Sequence, residues 1–336
     1  MDIEKLLIDE LDYLNSYKMK SITISTTAKH ALDFRILPRR IISNLAMSCF
    51  MINNEEYLKE TLSFFDGKVD YIYIDVEQKQ NINLYKIARI IVKESRIVNV
   101  KPNDITLESC DLLIRNYYKD DLANKKVVVI GTGNLASKIA IRIAERQAQV
   151  YIKGRKIPKE QVVINALNFI LPKYNYPLQS FSLLQGHENV DVIISFLSGQ
   201  FTEEESLIPH IGKHTLIIDG GINNFSKDFI QQMLNKKINI TRLDTRIALP
   251  YQMLSTHDYT IGFFNEIFGQ AQIQGVKVAS GGYIGSEGTV IVDNIKQPNQ
   301  VIGIADGRGG VKASEQLSET DRNRIHEIEK AISRYY

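Results

Sequence analysis

The stretch Lys126-Val127-Val128-Val129-Ile130-Gly131-Thr132-Gly133-Asn134-Leu135-Ala136 constrains this chain more than any other. It reads as a short buried strand, a glycine turn and the start of a helix, and the turn fits G-x-G-x-x-A. Gly131 permits a tight turn, Gly133 lets the backbone approach a pyrophosphate, and Ala136 lets the helix pack close to the strand. The helix start then offers free N–H groups and a partial positive charge to phosphates. Leu135, Ile139, Ile141, Ile143 and Ala144 continue the helical pattern, so the motif has the context of a dinucleotide site. The contacts expected of the turn come from Gly131, Thr132, Gly133, Asn134, Leu135 and Ala136. The alternative is a strand–turn–helix that binds nothing.

Beyond this motif the chain continues a parallel sheet. Residues 149–153 read as the second strand and 158–170 as a helix. Residues 190–196 (VDVIISF) and 214–219 (HTLIID) are the apolar runs of strands covered on both faces. Ligands of such sheets lie outside the carboxyl ends of the strands. That points to 131–136, 153–156, 196–200 with Ser198, and 219–223 with Asp219, Gly221 and Asn223. The second strand ends in Lys153-Gly154-Arg155-Lys156, with no acid to accept from a ribose 2′-OH. A cationic cluster suits a 2′-phosphate instead, because guanidinium forms charge-assisted bonds to phosphate oxygens. Arg155 lies 24 residues after Gly131, where the motif expects this contact. NADP is therefore expected, with NAD as the alternative. Otherwise Lys153, Arg155 and Lys156 are a solvated charge run.

The remaining pattern is read from periodicity and punctuation. Helices are expected at 2–18, 38–50, 82–93 and 226–234, with strands at 20–26, 69–76, 96–100 and 238–243. Asn53 or Asn54 caps a helix running through Phe65. A helix from Pro102 to Tyr118, with Asn103 or Asp104 as N-cap, leads into the Gly131 strand. A segment near 248–270, helical over 259–268, is expected to return to the first domain. A glycine-rich piece at 280–288 precedes a hairpin of 289–294 with 300–305, and the last helix spans 318–334. The fold class is α/β: a Rossmann-type NAD(P)-binding domain plus an N-terminal α/β substrate domain, with a C-terminal β-hairpin and helix. The expected divisions are 1–120, 121–247 and 248–336.

Composition narrows the setting. Over 336 residues the hydrophobic content is 44%, the charged content 24% and the net charge +2, which gives no reason to expect nucleic acid or membrane partners. No apolar run approaches the ~20 residues of a spanning helix, and the acidic start MDIEKLLIDELDYL lacks the order of a signal peptide. Two cysteines without a partner pattern favour a cytoplasmic protein with reduced thiols. The six histidines show no metal-ligand spacing, so no metal is expected. A small-molecule substrate is the expected partner, and the sequence allows a homodimer.

Three segments resemble the superfamily of shikimate and methylenetetrahydrofolate dehydrogenases. Ile72-Tyr73-Ile74-Asp75-Val76-Glu77-Gln78-Lys79-Gln80-Asn81-Ile82-Asn83 is similar to the strand and loop before a helix beginning His-Ile-Asn in the folate enzymes. Asn103-Asp104 stands where both families have an Asp at the start of a bridging helix. Ile217-Ile218-Asp219-Gly220-Gly221-Ile222-Asn223 resembles their Asp-Val-Gly-Ile-Asn segment. The resemblance covers about residues 69–225. It implies a substrate domain before an NADP-binding domain with a cleft between them. The Tyr-x-x-x-Lys of the folate enzymes is not matched, since Tyr57 has Thr61 four residues on. Lys79 lies near the position of the shikimate enzymes' lysine but lacks their Val-Pro-Phe-Lys motif.

The chemistry expected is hydride transfer between nicotinamide and a small polar substrate, alcohol/ketone or amine/imine. That needs a proton donor or acceptor beside the reacting carbon. Lys79 and Asp104 are the expected catalytic pair, both on loops facing the cleft. The alternatives are an exposed loop lysine and a helix N-cap. His257 is a rival acid–base candidate, against an ordinary surface histidine. Two other readings stay open: a catalytically silent NADP-binding regulatory or scaffold protein, and a reductase using Cys49 or Cys110 as nucleophile. Cys49 also reads as a small core residue.

Overall fold

A computed structural model describes residues 3–27, 32–42, 44–77, 79–186, 188–256 and 258–333. The chain divides into two compact units, Met1–Pro250 and Tyr251–Tyr336.

The first unit holds two sheets. Its elements begin with α1 (Ile3–Asn15), β1 (Met19–Ser25), β2 (Phe34–Ile42), β3 (Leu45–Ile52), α2 (Glu55–Phe65), β4 (Tyr71–Asp75), α3 (Leu84–Ile91) and β5 (Arg96–Val100). The strand order is β2-β3-β1-β4-β5, parallel except for β2. Alternation sets its two faces. Ile22, Ile24, Ala46, Phe50, Ile72 and Ile74 join α1, α2 and α3 in one core, while Thr23, Met47, Cys49 and Tyr73 lie on the other face. Asn54 caps α2, its side chain accepting from the N–H groups of Glu56 and Tyr57.

The helix expected over 38–50 is corrected: residues 38–42 belong to β2 and 45–50 to β3. Pro38 would be tolerated at the start of such a helix, but the continuous apolar run of 45–50 is a strand covered on both faces, and Pro38 lies on the edge strand β2, where a register irregularity between Leu37 and Arg40 accommodates it. The apolar run of β3 is continuous because both of its faces are covered.

From β5 the chain enters α4 (Pro102–Tyr117) and then β6 (Lys126–Ile130), α5 (Asn134–Ala144), β7 (Gln149–Lys153), α6 (Ile157–Ile170), β8 (Gln179–Ser180), β9 (Val190–Ser195), β10 (Ile211–Asp219), α7 (Lys227–Asn235) and β11 (Asn239–Arg242). The order β11-β10-β9-β6-β7-β8 is all parallel. Counted from β6 it is 3-2-1-4-5-6, the doubly wound Rossmann order with its switch point between β6 and β9. Val127, Val129, Val192, Ile194, Leu216 and Ile218 face one core; Val128, Ile130, Ile193 and Ile217 face another. Residues buried on both sides explain the unbroken apolar runs.

Two connections tie the sheets. Helix α4 packs on α5 through Arg142 with Glu108 at 2.8 Å, and Arg146, in the turn just after α5, forks onto the buried Asp111 at 2.8 and 2.7 Å. Past β11 the chain comes back: the Ser109 hydroxyl donates to the Thr245 carbonyl at 3.2 Å, and Thr245 and Leu249 line a recess together with residues of β1, β2, β3 and β4. The helix α8 (Leu249–Met253) runs across the boundary of the units.

The second unit contains α9 (Asp258–Gly262), a π-turn at Phe263–Ile267, β12 (Gly269–Ile273), β13 (Val276–Ser280), β14 (Val290–Val292), β15 (Val301–Ile304) and α10 (Glu319–Ile332). The expected hairpin is present as β14 and β15, but it is half of a four-stranded sheet, β12-β13-β14-β15. The pair β12–β13, joined at Gln274-Gly275 with positive φ at both, has no counterpart among the strands expected from the sequence. Ile328 of α10 closes the core with Val278, Val290, Val292 and Ile304. No helix among the described residues is long and apolar enough to cross a membrane.

Candidate active site

The two glycines of the fingerprint are glycine for different reasons. Gly131 follows β6 with φ +129°, donates its N–H to the Lys153 carbonyl at 2.8 Å, and is buried. A Cβ there would lie 2.7 Å from the Phe196 carbonyl oxygen and 3.1 Å from Ala136 Cβ. The fold itself requires this glycine. Gly133 is the N-cap of α5, with φ −95° and ψ −179°, a backbone that any residue adopts. A Cβ on Gly133 would meet nothing within 4 Å among the described residues. Gly133 lines a cavity of about 1130 Å³ together with Gly131, Thr132, Asn134 and Leu135. No side chain caps α5, so the N–H groups of its first turn remain to be satisfied from outside the helix. Ala136 is buried beneath them. This arrangement fits a pyrophosphate.

The next strand end carries cations. Arg155 and Lys156 line the cavity, and so does Lys159, one helical turn further on. None of the three has a carboxylate within ion-pair distance among the described residues. Lys153 is corrected: its ammonium pairs with Glu203 at 2.8 Å and lies over the rings of Phe181 and Phe201, outside the cavity lining. An acid does exist beneath this loop. Glu160 is buried in the first turn of α6, but its oxygens are committed to the Gly154 N–H at 2.7 Å and to the Ser180 hydroxyl.

The ends of β9 and β10 close the same cavity with Phe196, Leu197, Ser198, Gly220, Gly221, Ile222 and Asn223. Asp219 does not line it. Its carboxylate accepts from the N–H groups of Gly221 and Asn224, both at 3.1 Å, and so shapes the turn. Ile222 and Asn223 hold φ of +61° and +59° there. Asn224 is one of the residues that sequence reasoning misses. Its buried amide accepts from the Ser195 hydroxyl and the Leu197 N–H and donates to the carbonyls of Leu197 and Gly199. It locks the two strand ends together.

On the opposite bank stand Thr27, Lys79, Pro102, Asn103 and Thr106. Lys79 and Asp104 are not partners, which corrects the expected pair. Lys79 Nζ lies 2.8 Å from Asp75 and 3.0 Å from Glu77 and is 15% exposed. Asp75 is buried at the end of β4, and Glu77 also accepts the N–H of Asn103 at 3.0 Å. Asp104 pairs with Lys101 and, at 3.4 Å, with Lys138. Burial pushes its carboxyl up, but Lys101 and Lys138 outweigh that and hold it below the usual carboxylate range. Neither Asn103 nor Asp104 caps α4: Lys101 occupies the N-cap position and Pro102 is the first helical residue.

No family model matches this sequence, and no curated protein matches it. Several solved structures are similar to it. A shikimate dehydrogenase in complex with NADP⁺ shares 12% identity over 71% of this chain and 91% of its own, with a TM-score of 0.44. The A chain of dipicolinate synthase from Bacillus subtilis shares 14% over 74% and 95%, with a TM-score of 0.38. L-tryptophan dehydrogenase from Nostoc punctiforme shares 13% over 73% and 75%, with a TM-score of 0.41.

The remaining candidates divide by environment. Cys49 is buried, and burial pushes its thiol up to about 11 against the lowering influence of Arg40. Cys110 is fully buried and its thiol is pushed up further, by burial first and then by Asp111. Both are protonated thiols at neutral pH, unsuited to nucleophilic attack. His257 lies outside the described residues.

Proposed function

We propose that this protein is an NADP-dependent oxidoreductase that transfers a hydride to or from a small polar substrate in the cavity between the two sheets of its first unit. The observation that carries the reading is Gly133. Its chain does not need glycine, yet the missing side chain opens the cavity at an uncapped helix start. Arg155, Lys156 and Lys159 would hold a 2′-phosphate, which carries about two negative charges near neutral pH. A nicotinamide held there would supply or accept the hydride. Lys79 moves the proton: two of its three N–H donors face Asp75 and Glu77, and the third is left for the substrate oxygen or nitrogen. Reducing a carbonyl or imine takes the hydride at carbon and one proton from Lys79 at the heteroatom; oxidation reverses both. Asp75 and Glu77 orient the ammonium. Asn224, with Ser198 and Gly221, shapes the wall on the far side.

The test is a screen of hydroxy acids, cyclitols, amino acids and sugar derivatives that follows NADPH absorbance. Turnover on one class, lost in Lys79→Ala with NADPH affinity kept, supports the reading. NADPH binding without turnover on any class supports a silent NADP-binding protein instead.

A further inference from the structure

A second recess of about 190 Å³ adjoins the main cavity, sharing Pro102 and Thr106 with it. It lies against the sheet face that carries Thr23, Ser25, Cys49 and Tyr73, and Arg40 of β2 is part of its lining. The two consecutive arginines of β2 have different circumstances. Arg39 forks onto Glu10 of α1, with contacts of 2.9–3.1 Å. Arg40 has no carboxylate within ion-pair distance among the described residues, and its Nε is buried without a hydrogen-bond partner. The Cys49 thiol is the weak neighbour it has. Asp244 feels the charge of Arg40, but its carboxylate is taken by Arg246. A buried, unsatisfied donor on a charged group is costly, and folded proteins seldom keep one without a reason.

We infer that this recess binds a carboxylate, and that the substrate of the reaction proposed above is a small carboxylic acid held there by Arg40. A carboxylate is planar and offers two oxygens to the guanidinium fork. Thr23 adds a hydroxyl, whereas the Thr106 hydroxyl already donates to the Pro102 carbonyl at 2.8 Å and is left as an acceptor. Leu37, Met47 and Leu249 give the recess apolar walls for a short carbon skeleton. Its volume equals the share of about six waters, room for the acid group and a few carbons. The rest of the molecule then extends past Pro102 and Thr106 into the main cavity, which Lys79 lines. The substrate assignment rests on the oxidoreductase reading; the binding of a carboxylate at Arg40 does not.

The experiment is calorimetric titration of acetate, lactate, pyruvate and benzoate, their primary amides and inorganic phosphate into the wild type, Arg40→Met and Arg40→Lys. NADPH is titrated into the same samples. At least one acid is expected to bind the wild type while its amide does not. Arg40→Met should weaken that acid about tenfold to a hundredfold, with Arg40→Lys between the two and NADPH affinity equal in all three. Arg40→Met should melt no lower than the wild type, since it removes a charge without a carboxylate partner; a purely structural Arg40 would lower the melting temperature. The proposal is overturned if no acid binds, if only phosphate binds, or if the acids bind Arg40→Met as tightly as the wild type. Should Arg40→Met not fold, the same comparison with Arg40→Lys decides. Loss of NADPH binding with acid binding intact would overturn the cofactor reading and leave the recess standing.

Discussion

The two banks of the cavity are built in different ways. The bank made by β6, β7, β9 and β10 works mainly through backbone: glycines at 131, 133, 220 and 221, an uncapped helix start, and a turn held by Asp219 and Asn224. The bank made by the first sheet works through side chains: Lys79 between Asp75 and Glu77, and Arg40 in the recess. A backbone site must be written in small residues at fixed spacing. A side-chain site needs only that residues far apart in the chain converge, which leaves little local signature. In the proposed function the first bank would bind the cofactor through backbone and the cations of the β7 end, and the second would supply the proton.

The largest effects should separate these roles. Gly133→Val puts a branched side chain where a phosphate would sit, and is expected to abolish NADPH binding in calorimetry while thermal melting stays close to wild type. Gly131→Ala is the reverse. It meets the Phe196 carbonyl at 2.7 Å and a positive φ, so unfolding should show a loss of about 1–3 kcal/mol or more from strain. If Gly133→Val melts as poorly as Gly131→Ala, the distinction between them fails.

On the other bank, Lys79→Ala should lower turnover by about 10²–10⁴-fold, the usual worth of a positioned acid–base group, with NADPH affinity unchanged. Steady-state rates and titration together check this. Equal loss of rate and affinity would place Lys79 in cofactor binding.

The first bank is legible in the sequence because its information is local. Gly131 to Ala136 and the apolar strands carry their own periodicity. Lys153 is misleading because its partners, Glu203, Phe181 and Phe201, are distant in sequence. Lys159 does have a local signal: it is four residues beyond Arg155 at a helix start. Asp75, Glu77 and Lys79 also alternate on one short segment, a closer set of partners for Lys79 than Asp104. Arg40 sits in a stretch whose apolar content suggests a helix, and nothing local marks it. Asn224 has no signature at all, since the three residues that take its four hydrogen bonds lie on the loop after β9 and at the end of that strand.

Smaller effects should fall on Asp104, which pairs with Lys101 and Lys138 and does not line the cavity. Asp104→Asn should leave turnover nearly unchanged and cost less than about 1 kcal/mol, as partly exposed ion pairs do. The direction of the pH effect comes from its depressed folded value. Its contribution is present above the unfolded carboxylate value of about 3.9 and is lost as pH falls through the lower folded one. Chemical denaturation of both proteins across that range should show their difference closing at the acid end. A large rate defect in Asp104→Asn would restore it to the chemistry.

Selection of a phosphorylated dinucleotide by the first bank would rest on Arg155, Lys156 and Lys159. Calorimetric titration of NADPH and NADH into the wild type and Arg155→Ala at low salt tests it most directly. The wild type should bind NADPH at least about tenfold more tightly than NADH, consistent with one or more charge-assisted hydrogen bonds. Arg155→Ala should weaken NADPH by about tenfold to a hundredfold and leave NADH where it was. Equal affinity of the wild type for the two cofactors, or binding of neither, would contradict the claim.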